Sequence, residues 1–216
     1  MVCVEFHCHT IASKDSLTLP DKLLAACCKK GIDRVVITDH NTIAGALQAK
    51  EIDPQRVIVG EEVMTTAGEL LAVFVVEEIP KGLTPVQAVA RLREQGAFIS
   101  VSHPFDKMRS GSWILSDLFQ IAPLVDALET FNARCMLPSF NQKAQDFARQ
   151  HRMPGTVGSD AHAVCEVGQA TLLLPEFHDA ESLKAVIFQG QKLVRLSPPW
   201  VHFYSRWANY VKRKIV

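Results

Sequence analysis

A distorted α/β barrel of seven strands is the fold this chain predicts, and three observations predict it. Short β-branched runs alternate with helix-like segments along most of the 216 residues, the pattern of parallel strands with helices outside. One strand pair is joined by too few residues for a crossover helix. Histidines and acids gather just past the strands, where α/β barrels build their active sites.

In chain order, strands are expected at 2–6, 34–38, 56–60, 69–76, 97–102, 127–130 and 155–158, and helices at 20–30, 42–50, 84–95, 112–121, 138–151 and 179–189. Thr84-Pro85 reads as a helix N-cap and first turn, and Gly31, Gly96 and Gly190 follow helices as C′ residues. Only 63–68 separate the third and fourth strands, so that pair is expected as an antiparallel hairpin. The barrel should then be incomplete, not regularly eightfold.

Composition narrows the class. Hydrophobic residues make up 48% and charged residues 21%, values that disfavour disorder and coiled coil. Lys+Arg and Asp+Glu are 23 each, so overall charge does not point to long nucleic acid as a partner, although local basic patches leave it open. No apolar run approaches the roughly 18 residues of a membrane span. The start, Met1 to Phe6, lacks a basic n-region and long apolar core. The six cysteines have no CxxC spacing. They are read as reduced thiols of a cytoplasmic protein.

Five strand ends carry the chemistry: His7-Cys8-His9, Asp39-His40-Asn41, Glu61-Glu62, His103-Pro104 and Ser159-Asp160-Ala161-His162. Residues two apart on an extended chain share a face. This places His7 with His9 and Asp160 with His162, while Cys8 points away. Imidazole plus carboxylate suits Zn, Mn or Fe ions. Histidines scattered by chance would be packing or surface residues, but these stand together beside acids, as metal ligands do.

The ordered motifs HCH, TDHN, GEE, SHP and GSDAH resemble the PHP (polymerase and histidinol phosphatase) superfamily of metal-dependent phosphoesterases, from the first strand to about Leu174. The resemblance implies a PHP-type catalytic barrel over 1–195 and a hydrolase with two or three divalent ions. It places His7, His9, Glu62 and Asp160 on one ion, and Asp15, His40 and His162 on another. Glu62 and His103 serve a third, with Glu62 bridging. Glu62 is preferred to Glu61 because the family acid lies second after the glycine. Taken alone, Asp15 reads about as well as a turn former or a cap for the helix at Pro20 as it does as a ligand. Fuller family members supply a further His from the next strand. Here Glu69-Leu70-Leu71-Ala72-Val73 has none. A hairpin would bring Glu69 near Glu62 as a substitute, but the plainer expectation for Glu69 is a solvated strand start.

The implied reaction is hydrolysis of a small phosphomonoester or nucleotide by metal-bound hydroxide, with no side-chain nucleophile. Asp39 is expected to orient a ligand imidazole or to cap the following helix. Arg109 and Arg134 are candidates for substrate phosphate, each with an ordinary surface arginine as the alternative. The segment 129–132 resembles a family strand-end motif without an assigned role. Residues 196–216 form a basic, aromatic helix, expected to pack on the barrel or touch a membrane surface or partner. Two readings compete with the phosphoesterase: an amidohydrolase-type metal hydrolase, which wants a strand-end carboxylated Lys not seen here, and a metal-binding regulatory module without turnover.

Overall fold

The computed structural model describes residues 1–109 and 111–215. Its strands are β1 (Val2–Cys8), β2 (Arg34–Ile37), β3 (Val57–Met64), β4 (Glu69–Val73), β5 (Phe98–Val101), β6 (Ala127–Asn132), β7 (Gly155–Gly158), β8 (Ala170–Leu174) and β9 (Gln191–Val194). Its helices are α1 (Pro20–Lys29), α2 (Ala44–Ile52), α3 (Pro85–Glu94), α4 (Leu115–Ile121), α5 (Pro138–Gln150), α6 (Ala180–Val186) and α7 (Val201–Ile215).

The strands form one sheet in the order β7-β6-β5-β4-β3-β2-β1-β8-β9, curled into a nearly closed barrel. β7 meets β1 at the seam, where His9 N donates to Ala161 O at 2.8 Å. The expected hairpin is present: β3 and β4 run antiparallel with Met64 opposite Glu69. β4 also runs antiparallel to β5. Two strands depart from the expected seven. β8 pairs antiparallel with β1, and β9 with β8. β9 is exposed along its whole length, so it lacks the period-2 alternation that marks a strand in sequence.

Thr84 caps α3 through a capping box with Gln87. Gly31 and Gly96 take the left-handed conformation expected past a helix end (φ 67° and 73°). Gly190 does not: its φ of −63° carries the chain straight toward β9. Two apolar layers hold the barrel. Outside, Val35, Ile37 and Val59 pack with Leu23, Ala46 and Leu92 of the helices. Inside, Val36, Ile58, Val73 and Phe98 are plugged by Phe177 and Leu183 from the segment after β8. That plug leaves the C-terminal ends of the parallel strands for polar groups. The cysteines are free thiols, and among the described residues no helix is long and apolar enough to cross a membrane.

Candidate metal centre

A register shift aims the first two histidines. β1 pairs Val4 with Arg34 and Glu5 with Val35, then Cys8 with Ile37, one residue out of step. Strict alternation would put Phe6 and His7 on opposite faces. The extra residue lets Val4 and Phe6 line the inner core and turns His7 inward above them, while Cys8 faces Leu23 and Cys27. β6 has a similar shift between Glu129 and Phe131. It brings Glu129 and Asn132 together, Asn132 Nδ2 donating to Glu129 Oε2 at 3.1 Å. On β3, ordinary alternation separates the neighbouring glutamates. Glu62 enters the barrel, whereas Glu61 points away toward Ile79 N, and burial pushes its carboxyl up to about 7.

Four donor atoms converge at the mouth. His7 Nε2 and His9 Nε2 are 3.1 Å apart. Glu62 Oε2 stands 3.3 and 3.4 Å from them, and Asp160 Oδ1 stands 3.6 and 3.3 Å from them. Ligands at ~2.0–2.1 Å from a tetrahedral ion are about 3.3 Å from each other. Glu62 Oε2 and Asp160 Oδ1 are buried and find no hydrogen-bond partner among the described residues. Orphaned oxygens beside facing ring nitrogens are what a cation, not a hydrogen bond, satisfies. These residues therefore fit a metal ion.

Two further groups adjoin the first. Asp15 Oδ1, also orphaned, lies 3.4 Å from His162 Nε2 and 3.6 Å from His40 Nε2. Asp15 does not cap α1, whose N-cap is Leu19. His103 Nε2 lies 3.2 Å from Glu62 Oε1 and 3.3 Å from Glu69 Oε2. His40, Glu62 and Glu69 also bring donor atoms within 4.8 Å of one another. Glu62 thus faces all three groups. Glu69 is not the solvated strand start expected: it is 5% exposed, because the hairpin folds its carboxylate over Glu62 and Trp113 Nε1 bonds its carbonyl.

A second ring orients the first. Glu129 accepts from His7 Nδ1 at 2.9 Å and from His103 N at 2.8 Å. Asp39 accepts from Thr10 N, Thr10 Oγ1 and Ser13 Oγ, and Ser13 Oγ meets His9 Nδ1 at 3.1 Å. Asp39 is no helix cap, since α2 starts after Ile43. Such partners fix imidazole tautomers for ligation. His103 and Asp160 sit at positive φ (23° and 52°), local strain of the kind functional sites hold. Sequence reasoning left Glu129, Ser13 and Asn132 without roles. A polar residue at the β6 end was the available signal.

Charge in the cluster is unbalanced toward the acids. Burial pulls His7 and His40 down, yet Glu62 with Asp160, and Glu62 with Asp15, hold them well above the usual imidazole range. His9 goes the other way, lowered by burial and by the His162 and His40 rings. Against burial, His7 and His40 keep Glu62 well below the usual carboxylate range, and Arg109 and His7 do so for Asp160.

Both arginines reach the site. Arg109 Nη2 lies 2.5 Å from Asp160 Oδ2 and its Nε 3.1 Å from Asp106. Its Nη1 has no protein partner among the described residues. Arg134 is buried. It contacts His162 Nδ1, faces Glu166 at 3.3 Å and donates to Ser205 Oγ at 2.7 Å. Neither is an ordinary surface arginine. Arg134 also ties down α7, whose Val201 and Ala208 are buried. The helix expected at 196–216 starts only at Val201, after Pro198-Pro199, and packs on the barrel as α7, with Val216 outside the described residues. It walls a cavity of about 570 Å³ over the donors, lined in part by Lys14, Met64, Met108, Phe203 and Arg206.

Known proteins resemble this chain in sequence or in fold. The model of the PHP-associated family matches residues 138–191. An uncharacterised protein of Methanocaldococcus jannaschii is 36% identical over 178 residues, 81% of this chain and 71% of its own length. A candidate metal-dependent phosphoesterase from Bifidobacterium adolescentis has a similar fold (TM-score 0.63, 18% identity, 88% of this chain and 97% of that one). So does a two-domain protein from Bacteroides vulgatus described as containing a predicted PHP-like metal-dependent phosphoesterase (TM-score 0.69, 16% identity, 90% of this chain and 65% of that one).

Proposed function

The chain belongs to the PHP family, and from that premise we propose that it is a metal-dependent phosphoesterase acting on a small phosphomonoester or nucleotide. One observation carries this reading: the orphaned Glu62 and Asp160 oxygens facing His7 and His9 at tetrahedral spacing. His7, His9, Glu62 and Asp160 would hold one ion, Asp15, His40 and His162 a second. His103, Glu62 and Glu69 form a third group. Divalent ions held there would supply Lewis acidity for activating water and neutralising phosphoryl charge.

The chain's own groups supply the rest. Arg109, which lines the cavity, offers its guanidinium for a charge-assisted contact with phosphate. Arg134 spends its nitrogens on His162, Glu166 and Ser205, so its role is to hold the His162 loop against α7. Thioethers of Met64 and Met108 and the Phe203 ring offer an apolar wall to the organic part of a substrate. A cavity of about 570 Å³ accommodates a nucleotide-sized molecule.

Turnover of an aryl phosphate with added Mn²⁺, beside a panel of amides, tests the reading. Phosphate release that vanishes in chelator and in His9→Ala supports it. Amide cleavage without phosphate release assigns the site to the amidohydrolase type, and metal binding without any turnover makes it a regulatory module.

A further inference from the structure

Charge is divided unevenly along this neutral chain. No acidic residue follows Glu181, while seven Lys and Arg do, so the segment 182–216 carries all the positive excess and the rest an equal negative one. Much of that excess sits on α7. This helix buries Val201 and Ala208 and turns the opposite face to solvent, with Phe203, Trp207 and Tyr210 exposed at 71%, 56% and 57%. The three rings recur at i, i+4 and i+7, one stripe along a helix about 22 Å long. Trp200 continues the stripe just before the helix. Arg206, Arg213 and Lys214 are exposed beside the rings, and Lys214 Nζ lies 4.8 Å from the Tyr210 ring centre. Lys212 is taken by the carbonyls of Ile11 and Ser13, which pin the helix to the barrel mouth.

We propose that the exposed face of α7 docks the protein on an anionic lipid surface. Trp and Tyr prefer the boundary between hydrocarbon and headgroup, and Lys and Arg attract anionic headgroups. The face has both, and its cations meet no acid on the helix. A second copy is a poor occupant, since pairing two such faces would oppose cation to cation. Single-stranded nucleic acid is held in charged grooves that follow its backbone, whereas α7 offers a convex ridge. Phe203 and Arg206 belong both to this ridge and to the cavity wall, so docking sets the mouth of the metal centre at the lipid surface.

The test uses the full chain with vesicles of phosphatidylcholine and phosphatidylglycerol in equal parts, against vesicles of phosphatidylcholine alone. At low salt the protein should sediment with the mixed vesicles only, and high salt should release it. Tryptophan emission should shift to the blue, because Trp200 and Trp207 start exposed while Trp113 is already buried. Arg213→Gln with Lys214→Gln should weaken partitioning by roughly tenfold or more. Trp207→Ala with Tyr210→Ala should do the same, both pairs keeping the wild-type melting temperature and aryl-phosphate turnover. Should a variant fold poorly, the wild-type sedimentation and emission shift decide alone. Absence of both overturns the proposal. So does tight binding of an oligothymidylate without vesicle binding, or a stripe-dependent dimer in light scattering.

Discussion

Replacing Arg109 by alanine removes the guanidinium paired with Asp160 and, in the proposed function, the contact with substrate phosphate. Nη2 and Nε are committed to Asp160 and Asp106, and Asp160 is fully buried. Deleting one partner of a buried ion pair costs about 3–5 kcal/mol. The Arg109 side chain is 21% exposed, so solvent screens part of this and the lower end, about 3 kcal/mol, applies. At roughly 2–4 °C per kcal/mol for a chain of this size, the metal-free melting temperature should fall by roughly 6–12 °C. The fall should be larger in saturating Mn²⁺, because a weakened metal site stabilises the variant less than wild type. Metal affinity should drop about 10–100-fold, since the carboxylate loses the group that orients it. Loss of the phosphate contact should lower kcat/KM at saturating metal by a further one to two powers of ten, about 1.5–3 kcal/mol. Scanning calorimetry in chelator and in Mn²⁺, titration calorimetry and aryl-phosphate kinetics read the three effects. A variant that melts like wild type in chelator and binds Mn²⁺ as tightly would refute the reasoning.

Three other substitutions probe neighbouring features. Burial raises Glu61 from 4.5 to about 7, so the stability it permits is present below its unfolded value and lost as pH rises through the folded one. Glu61→Gln should therefore gain on wild type by up to about 3 kcal/mol between about pH 5 and about pH 8 in urea denaturation, and an equal gap at both would contradict this. Asp39→Asn turns an amide toward Thr10 and Ser13 donors and frees the His9 ring, so Mn²⁺ affinity should fall about 10–100-fold by titration calorimetry; unchanged affinity would remove Asp39 from the support of His9. Gly158→Ala would press a methyl against His7 Cβ and Glu129 Oε1, costing about 1–3 kcal/mol. Its melting curve should show that loss, and a wild-type curve would deny the close approach.

The sequence carried the parts of the site that follow strand periodicity. His7 with His9 and Asp160 with His162 stand out because residues two apart on an extended chain share a face, and the short link before Glu69 forces the hairpin. Pairing irregularities were not legible. Nothing in Glu5-Phe6-His7-Cys8 announces the register shift that turns His7 inward, nor in Glu129-Thr130-Phe131 the one that sets Glu129 beside Asn132. Those shifts arise from how neighbouring strands meet at the barrel mouth, which is tertiary information. The same holds for Glu69, whose burial depends on the loop bearing Trp113 closing over it. α7 showed its amphipathic stripe in sequence, but not which face would meet the barrel: Val201 and Ala208, small enough for close approach, won over the aromatics.

Locating the ions in crystals grown with Mn²⁺, by anomalous scattering, bears most directly on the account. One ion should lie about 2.0–2.2 Å from His7 Nε2, His9 Nε2, Glu62 Oε2 and Asp160 Oδ1, and a second among Asp15, His40 and His162. Anomalous peaks confined to other side chains, or none at this mouth in saturating Mn²⁺, would contradict it.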